Sequence, residues 1–381
     1  MKFIVNSQLL KQQLQSISGV IGNNNTVPIV TCFLFHLEEK VLTIRATDLE
    51  TTMVVKIDVE PPAGQEPSEV AVPSKMILDI LKNLDDAPLT FISNDQNYAI
   101  ELECISGKYE LAGQNPDVFP SMPQQENTVK VTMPASVFVS AVGKTYFATG
   151  SDEMRPQMAG IYCEMSPECT TFVATDAHKL VRYRRYDAKA DESTNFIFPK
   201  KPVSLIKKVL ESYNDDVEIT MEYNRTNIFF TYNNYYFICR LVDGKYPNYE
   251  AAIPKENPNK LTLDRGAFLN VLKRVSIFAN QSTTPIRLSI NADHIVVSAE
   301  DNELANKATE SLPCQYEGEP MEIGFSANFL KDMMSNLETE NVLLELSHPS
   351  RAGIIFPLYE ENEDKNEDIL MLVMPVMLAN A

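Results

Sequence analysis

The chain has 381 residues, of which 44% are hydrophobic and 22% charged, and its formal net charge is −19. This length allows two or three domains with buried cores, and no apolar run approaches the roughly 18 residues of a membrane helix. Six scattered cysteines without a C-x-x-C pair argue against a disulfide framework and against a cysteine-ligated zinc site. We therefore expect a globular cytoplasmic protein with no signal peptide, metal or cofactor.

One pattern recurs six times along the chain. It consists of a short alternating strand, a cap or turn residue, an amphipathic stretch with apolar side chains at helical spacing, and further alternating strands. N-caps are predicted at Ser74, Asp264 and Ser326. The copies begin 60 to 67 residues apart, at Lys2, Glu69, Val129, Asn195, Leu261 and Met321. Each copy is predicted to form a β-α-β-β-β unit.

The six units are expected to pair, because one helix cannot cover both faces of a small sheet. Two long Pro-rich connections, 115–128 and 246–260, divide the units into three pairs. The predicted fold class is therefore α+β, with three tandem domains at residues 1–122, 129–248 and 249–381. Each domain is expected to contain two units.

Positive charge is concentrated in the six predicted helices, although the whole chain is acidic. The helices contain only four acidic residues, Asp79, Glu211, Asp332 and Glu338. They contain twelve basic residues: Lys11, Lys75, Lys82, Lys144, Lys200, Lys201, Lys207, Lys208, Arg265, Lys273, Arg274 and Lys331. Lysine and arginine are good helix formers on any solvated face, but glutamate is equally good and is nearly absent. The alternative hypothesis is that all six helices face one polyanion, with phosphate contacts and no base reading.

Four short motifs carry a resemblance to a known family. TDAHKL (175–180), DGKYPNY (243–249) and LVMPVML (372–378) occur in the order and spacing of the beta sliding clamps of bacterial DNA polymerase III, and TDLE (47–50) echoes the first of them. The resemblance covers essentially the whole chain. It implies a non-catalytic processivity subunit. It also implies a head-to-tail homodimeric ring, with helices lining the hole and strands forming the outer wall. Such a ring encircles double-stranded DNA of any sequence.

A size estimate independently favours a dimer. Helices pack about 10 Å apart, so a closed layer of six leaves a hole of roughly 10 Å once helix radii of about 5 Å are subtracted. Twelve helices leave roughly 28 Å, which exceeds the roughly 20 Å diameter of duplex DNA. Two copies can therefore surround DNA, and one cannot.

The predicted DNA-facing residues combine the helix cations with two loop positions that the family resemblance implies, Asn24 and Arg155. The helix residues are Lys11, Lys75, Lys82, Lys144, Lys200, Lys201, Lys207, Lys208, Lys273 and Arg274. The resemblance also implies a dimer interface, with Tyr109 and Leu111 on one side and Ile277 and Phe278 on the other.

The resemblance further implies a hydrophobic cleft for short linear motifs of the replicative polymerase, the clamp loader and repair polymerases. The corresponding residues are Met158, Thr175, His178, Leu180, Pro247, Leu372, Val373, Met374, Pro375 and Val376. Flexible, polarizable methionine suits a site with several partners. This chain departs from the family pattern at Ala177, where glycine is usual, at Ala251 and Ala252, where Arg-Val is frequent, and at Met377, where arginine is common. We expect a more apolar cleft than in the family.

Two other functions compete with this interpretation. Asp176 and His178 stand two residues apart, as a catalytic pair would, but the chain offers no phosphate loop, metal motif or elbow serine. The structural alternative is an ordinary turn, with Asp176 as its cap and His178 packed. A scaffold that never touches DNA is the second alternative, in which the helix cations serve solubility alone.

Overall fold

The computed structural model describes residues 1–22, 27–152, 154–212, 217–301, 303–360 and 366–378. Among these residues, the helices are too short or too polar to cross a membrane. Each of the six cysteines has a free thiol. The β-α-β-β-β unit occurs six times, so the repeat predicted from the sequence is confirmed.

The secondary-structure elements follow the predicted units closely. The first unit contains β1 (Lys2–Asn6), α1 (Ser7–Ser18), β2 (Cys32–Glu38), β3 (Val41–Thr47) and β4 (Thr51–Asp58). The second contains β5 (Ser68–Pro73), α2 (Ser74–Lys82), β6 (Pro88–Ser93), β7 (Ala99–Cys104) and β8 (Gly107–Ala112). The third contains β9 (Val129–Pro134), α3 (Ala135–Thr145), β10 (Gly160–Met165), β11 (Thr170–Thr175) and β12 (Lys179–Arg185).

The remaining three units repeat this order, with one additional short strand. The fourth contains β13 (Thr194–Pro199), α4 (Lys200–Glu211), β14 (Glu218–Tyr223), β15 (Asn227–Tyr232) and β16 (Tyr235–Arg240). The fifth contains β17 (Asn259–Asp264), α5 (Arg265–Val275), β18 (Pro285–Ile290), β19 (His294–Asp301) and β20 (Asn306–Pro313), and β21 (Gln315–Glu317) follows it. The sixth contains β22 (Met321–Ser326), α6 (Ala327–Ser335), β23 (Asn341–Leu346), β24 (Gly353–Leu358) and β25 (Glu367–Val373).

The predicted helix caps are only partly correct. Asp264 caps α5, since its carboxylate accepts from the N–H of Ala267. Ser326 occupies the cap position of α6, but its hydroxyl hydrogen-bonds to the Thr284 hydroxyl instead. The prediction for Ser74 is wrong: it is the first residue of α2, and its hydroxyl donates to the carbonyl oxygen of Thr31. A serine in this position finds a tertiary acceptor, which the sequence does not reveal.

The units pair by exchanging their first strands. Within the first two units, β1 joins β6, β7 and β8, whereas β5 joins β2, β3 and β4. The same exchange places β13 beside β10 and β9 beside β14, and then β22 beside β18 and β17 beside β23. Each sheet is therefore completed by a strand from the other unit of its pair, so the two units of a pair depend on each other for a complete sheet.

Two sheets continue across the predicted domain connections. β4 pairs with β16 in an eight-stranded sheet, and β12 pairs with β25 in a nine-stranded sheet. The chain accordingly divides into two compact units, residues 1–136 with 201–241, and residues 137–200 with 242–381. The first holds the eight-stranded sheet and the sheet of β1, while the second holds the nine-stranded sheet and the sheet of β22.

Buried aromatic rings fill both compact units. In the first, the rings of Phe3 and Phe91 stack with centroids 4.9 Å apart. In the second, Phe138 meets Phe198 edge to face at 5.9 Å. Burying one such ring contributes roughly 1.5–3 kcal/mol, so these contacts hold the sheets on which the functional segments lie.

Candidate partner-binding cleft and DNA-facing helices

A tight turn joins β11 to β12 and is closed by side chains. The hydroxyl of Thr175 donates to the carbonyl oxygen of Lys179 over 2.7 Å and accepts from the N–H of Ala177. Asp176 accepts from the N–H groups of His178 and Lys179 at 2.9 and 2.8 Å, and its other oxygen pairs with the Lys179 ammonium at 2.6 Å. Because both carboxylate oxygens are engaged, Asp176 acts as the cap of a turn.

Ala177 adopts an unusual backbone conformation at the tip of this turn. Its φ is +77°, in the left-handed region that favours glycine. Glycine, which the family resemblance leads us to expect at this position, would adopt this conformation without strain. A Cβ in this region costs roughly 1–2 kcal/mol.

His178 and Lys179 both contact an aromatic residue that sequence reasoning missed. The exposed His178 ring stacks on Phe329, with centroids 6.3 Å apart and planes 20° apart. The buried Lys179 ammonium lies 4.4 Å from the centroid of the same ring, as in a cation–π contact. Phe329 lies outside the buried stripe of α6, which includes Leu330 and Met333. An aromatic residue off the core stripe was the available sequence signal.

The C-terminal segment, residues 374–378, lies against the turn and against β22. The N–H of Met374 donates to the carbonyl oxygen of His178 at 2.8 Å, and the N–H of Val376 donates to that of Gly324 at 2.9 Å. Met374 is 40% exposed, whereas Pro375 and Val376 are half-buried. The segment therefore presents an apolar surface next to the His178 ring.

The predicted cleft residues divide by burial. His178, Pro247 and Met374 are exposed, and Met158, Pro375 and Val376 are half-buried. The other four are buried in the fold: Thr175, Leu180, Leu372 and Val373. These four can support the cleft from below, but they offer little surface to a partner.

A cluster of aromatic and aliphatic residues underlies the candidate cleft. Leu180 and Leu372 belong to it, together with Tyr246. Tyr162 stacks on Tyr246 with centroids 4.7 Å apart, and the half-buried Tyr162 also packs at the edge of this cluster. Burial raises the pKa of Tyr246 above its ordinary value. The cluster gives the cleft an apolar floor.

The basic run behind the turn is neutralised by acidic partners. Arg182 pairs with Glu250 and Asp368, each at 3.2 Å, and Arg184 pairs with Glu250 at 3.0 Å. Arg185 forms an ion pair with Asp187. These ion pairs tie β12 to its neighbours and neutralise the three arginines.

The TDLE motif builds the same turn between β3 and β4. The Thr47 hydroxyl donates to the carbonyl oxygen of Thr51 and accepts from the N–H of Leu49, and Asp48 accepts from the N–H of Thr51. Leu49 has a φ of +82°, in the same left-handed region as Ala177. The similarity of TDLE to TDAH that was predicted from the sequence is confirmed, because the same hydrogen bonds close both turns.

The surroundings of this second turn are polar. Lys201 contacts Asp48 at 2.7 Å, and the Arg240 side chain lies 3.6 Å from Glu50. The N–H of Arg240 donates to the carbonyl oxygen of Glu50, as that of Met374 does to His178. Met374 lies beside the TDAH turn, whereas the ion pair of Arg240 with Glu50 lies beside the TDLE turn. Only the TDAH turn therefore has apolar surroundings of this kind.

Five predicted DNA-facing lysines have neither an ion-pair partner nor a contact with an aromatic ring among the described residues: Lys11, Lys75, Lys82, Lys208 and Lys273. Others are paired within the chain. Lys201 contacts Asp48 as above, and the remaining pairs are Arg155 with Asp152, Lys207 with Glu211, and Arg274 with Glu310. Asn24 lies outside the described residues.

Two further predicted cations are partly removed from solvent. Both oxygens of Glu367 lie 2.9 Å from the Lys144 ammonium, and the Lys144 side chain is only 15% exposed. Lys200 lies over the Tyr146 ring at 5.1 Å, and burial lowers its pKa. Lys144 in particular is held by a strong local partner.

The predicted dimer residues lie beside two sheet edges. Ile277 and Phe278 follow α5 and are 67% and 39% exposed. Tyr109 on β8 is half-buried, and Leu111 on the same strand is only 9% exposed. Leu111 therefore contributes mainly to its own unit. In the part of the chain that the structure describes, no His, Cys, Asp or Glu cluster is arranged to bind a metal ion.

Family models, curated proteins and solved structures all match this chain over nearly its whole length. Models of the DNA polymerase III beta subunit match the chain over 1–123 (N-terminal domain), 132–248 (central domain) and 250–376 (C-terminal domain). The beta sliding clamp of Pseudomonas putida is 27% identical over 379 residues, 99% of this chain and 100% of its own. That of Escherichia coli K12 is 27% identical over 349 residues, 91% of this chain and 93% of its own. The griselimycin-bound sliding clamp of Pseudomonas aeruginosa superposes with a TM-score of 0.91 at 25% identity, over 99% of this chain and 100% of that one.

Proposed function

The chain belongs to the DNA polymerase III beta subunit family, and we propose that two copies form a head-to-tail ring around duplex DNA. It is a sliding clamp of DNA replication and carries no polymerase chemistry of its own. A closed ring holds a bound polymerase on its template by topology, without sequence-specific contacts. We place this activity in the cytoplasm and assign the three domains to residues 1–122, 129–248 and 249–381.

Ring closure is supported by a rule that the strands follow within one chain. The last strand of the first unit, β4, pairs with the last strand of the fourth, β16, and β12 of the third pairs with β25 of the sixth. By the same rule, β20 of the fifth unit would pair with β8 of another copy. Both β8 and β20 are edge strands, and open edges favour pairing with another chain. Two such contacts close a two-fold ring.

Side chains at these edges suit such a contact. The exposed rings and methyl groups of Phe278 and Ile277 would meet Tyr109 of the partner copy, with a smaller contribution from Leu111. Burying two large apolar side chains contributes roughly 3–6 kcal/mol at each contact. This apolar contact would stabilise the strand pairing.

DNA contact is assigned to the helix cations and to the loop residues Asn24 and Arg155. Lys11, Lys75, Lys82, Lys208 and Lys273 are the most available, because their charges have no acidic partner in the described chain. Lys200, Lys201, Lys207 and Arg274 would contribute after giving up local contacts. We leave Lys144 out of this set, since Glu367 already neutralises it. Contacts of this kind read phosphate and not base sequence.

Partner proteins are proposed to dock between the TDAH turn and the C-terminal segment. His178, Phe329 and Met374 would form the accessible part of this cleft, and Pro247 and Met158 would line it as the family resemblance implies. Short motifs of the replicative polymerase, the clamp loader and repair polymerases would insert apolar side chains there. Such anchors usually dominate the binding energy of an interface.

The proposal of a two-copy ring rests mainly on one observation, that β8 and β20 are both edge strands. Light scattering tests whether the protein is a dimer. We expect a mass of twice the 42.9 kDa of one chain. A stable monomer, or a ring of three copies, would overturn the proposed closure.

A further inference from the structure

The C-terminal segment approaches β22 unusually closely at one residue. Gly324 lies in the middle of β22, and its carbonyl oxygen accepts from the N–H of Val376 at 2.9 Å. A Cβ built on Gly324 would lie 2.6 Å from the carbonyl oxygen of Val376 and 2.7 Å from Cδ2 of Leu378. Carbon atoms of real side chains do not approach other atoms so closely, so any larger residue would displace the segment.

The hydrogen bond alone does not require glycine. At the corresponding place in the second unit, the backbone N–H of Gln114 donates to the carbonyl oxygen of Ala71. In the fourth unit, the backbone N–H of Val242 donates to the carbonyl oxygen of Ile197. Both acceptors carry side chains. In the sixth unit the chain that leaves the strand also folds over it, and Leu378 lies 2.7 Å from the position that a Cβ of residue 324 would occupy. The glycine therefore serves the close approach of residues 376–378.

We propose that Gly324 is a positioning residue of the partner cleft. It allows Val376 and Leu378 to lie against β22, and this contact fixes the direction in which Met374 leaves the His178 turn. The bond from Met374 to His178 holds one end of the segment and the bond from Val376 to Gly324 holds the other. This role rests on the cleft proposed above, because Gly324 itself would not touch the partner.

The test is Gly324→Ala in the full-length chain, with two measurements. The family resemblance implies that the cleft binds apolar motifs of the Gln-Leu-x-Leu-Phe type, so the probe is a fluorescent Gln-Leu-Ser-Leu-Phe peptide. Its titration is expected to give an affinity about tenfold weaker, equivalent to ~1.4 kcal/mol. Hydrogen exchange followed by mass spectrometry is expected to show faster exchange at Val376, while β25 keeps its protection. Gly324→Val should enlarge both effects. Neither the dimer mass nor the melting temperature should change appreciably, since residues 374–378 follow β25 and belong to no strand or helix.

Gly22→Ala is the matched control, because a Cβ at Gly22 meets nothing within 4 Å. It should leave both measurements unchanged. Unaltered affinity for Gly324→Ala, or weaker binding with the Val376 amide still protected, would overturn the positioning role while leaving the cleft intact. A Met374→Ala chain that binds as well as the wild type would overturn the cleft itself, and so would a wild type that does not bind the peptide.

Discussion

The backbone N–H of Met374 donates to the carbonyl oxygen of His178 across 2.8 Å. This bond continues the pairing of β25 with β12 past the last paired residues, Val373 and Lys179. It places a 40% exposed methionine beside a histidine ring that itself stacks on Phe329. Three segments distant in sequence thus meet at one apolar surface.

Replacing Met374 by alanine should weaken binding of the Gln-Leu-Ser-Leu-Phe peptide by about 30-fold, since truncating an interface anchor costs about 2 kcal/mol or more. Fluorescence titration measures this. Met154→Ala is the matched control, because Met154 is 90% exposed and outside the proposed cleft. Equal affinities for both variants would place the partner site elsewhere.

Replacing Ala177 by glycine should stabilise the protein, because φ at this residue is +77° and glycine adopts that region without the Cβ penalty. We expect the melting temperature to rise by about 1–3 °C, equivalent to roughly 0.5–1 kcal/mol. Ala99→Gly, at an exposed strand position, is the control and should lower it slightly. A decrease for both variants would show that the turn relaxes around alanine without strain.

Reversing the charge of four free helix lysines should reduce clamp loading onto nicked circular DNA, and the defect should grow as salt is lowered. The residues to change to glutamate are Lys75, Lys82, Lys208 and Lys273. A control with the same total charge carries glutamate at four exposed lysines outside the helices: Lys40, Lys56, Lys189 and Lys255. Equal loading by both variants would show that net charge alone matters.

Glu367 should make stability depend on pH. Burial alone would raise its pKa, but hydrogen bonds from Tyr183 and Lys144, with another from Tyr359, hold the pKa below its ordinary value. Its contribution is therefore present above the unfolded-state pKa of about 4.3 and is lost as pH falls through the folded-state value.

Glu367→Gln should accordingly cost about 2 kcal/mol at pH 7, and its difference from the wild type should shrink below about pH 4. Melting temperatures across this range measure the effect. Exposed Glu256 provides the control, since Glu256→Gln should match the wild type throughout. A constant difference at all pH values would mean that the carboxylate charge is not what stabilises the cluster.

Placing aspartate at both Ile277 and Phe278 should give monomers by sedimentation, because two charges would then be buried in the proposed interface. Met154→Asp, which adds a charge at a 90% exposed position in the connection between α3 and β10, should remain dimeric. Dimers of the double variant would show that the interface lies elsewhere.

The sequence predicts the units well and their connections poorly, for a physical reason. Helical spacing and strand alternation are local, so all six units could be located from side-chain patterns. Exchange of the first strands, and the pairing of β4 with β16, depend on residues far apart in the chain. A side-chain pattern does not specify such partners.

The candidate site shows the same division. The turn chemistry of Thr175 and Asp176 follows from residue types known to cap turns, and the echo at Thr47 and Asp48 could be read directly. Phe329 lies on another helix, and nothing local connects it to His178. The position of Lys144 on its helix suggested that its charge was available to bind DNA. Its ion-pair partner, Glu367, lies 223 residues away in the sequence, so a local pattern does not reveal the pair.

The most direct test of the central claim is topological. The protein is loaded by a clamp loader onto a nicked circular duplex, separated from free protein by gel filtration, and the circle is then cut once with a restriction enzyme. A ring that encircles DNA should remain with the intact circle and leave after the cut, because no base is read and the whole chain carries a charge of −19. Stable retention on the linear product, with free ends, would contradict a sliding ring.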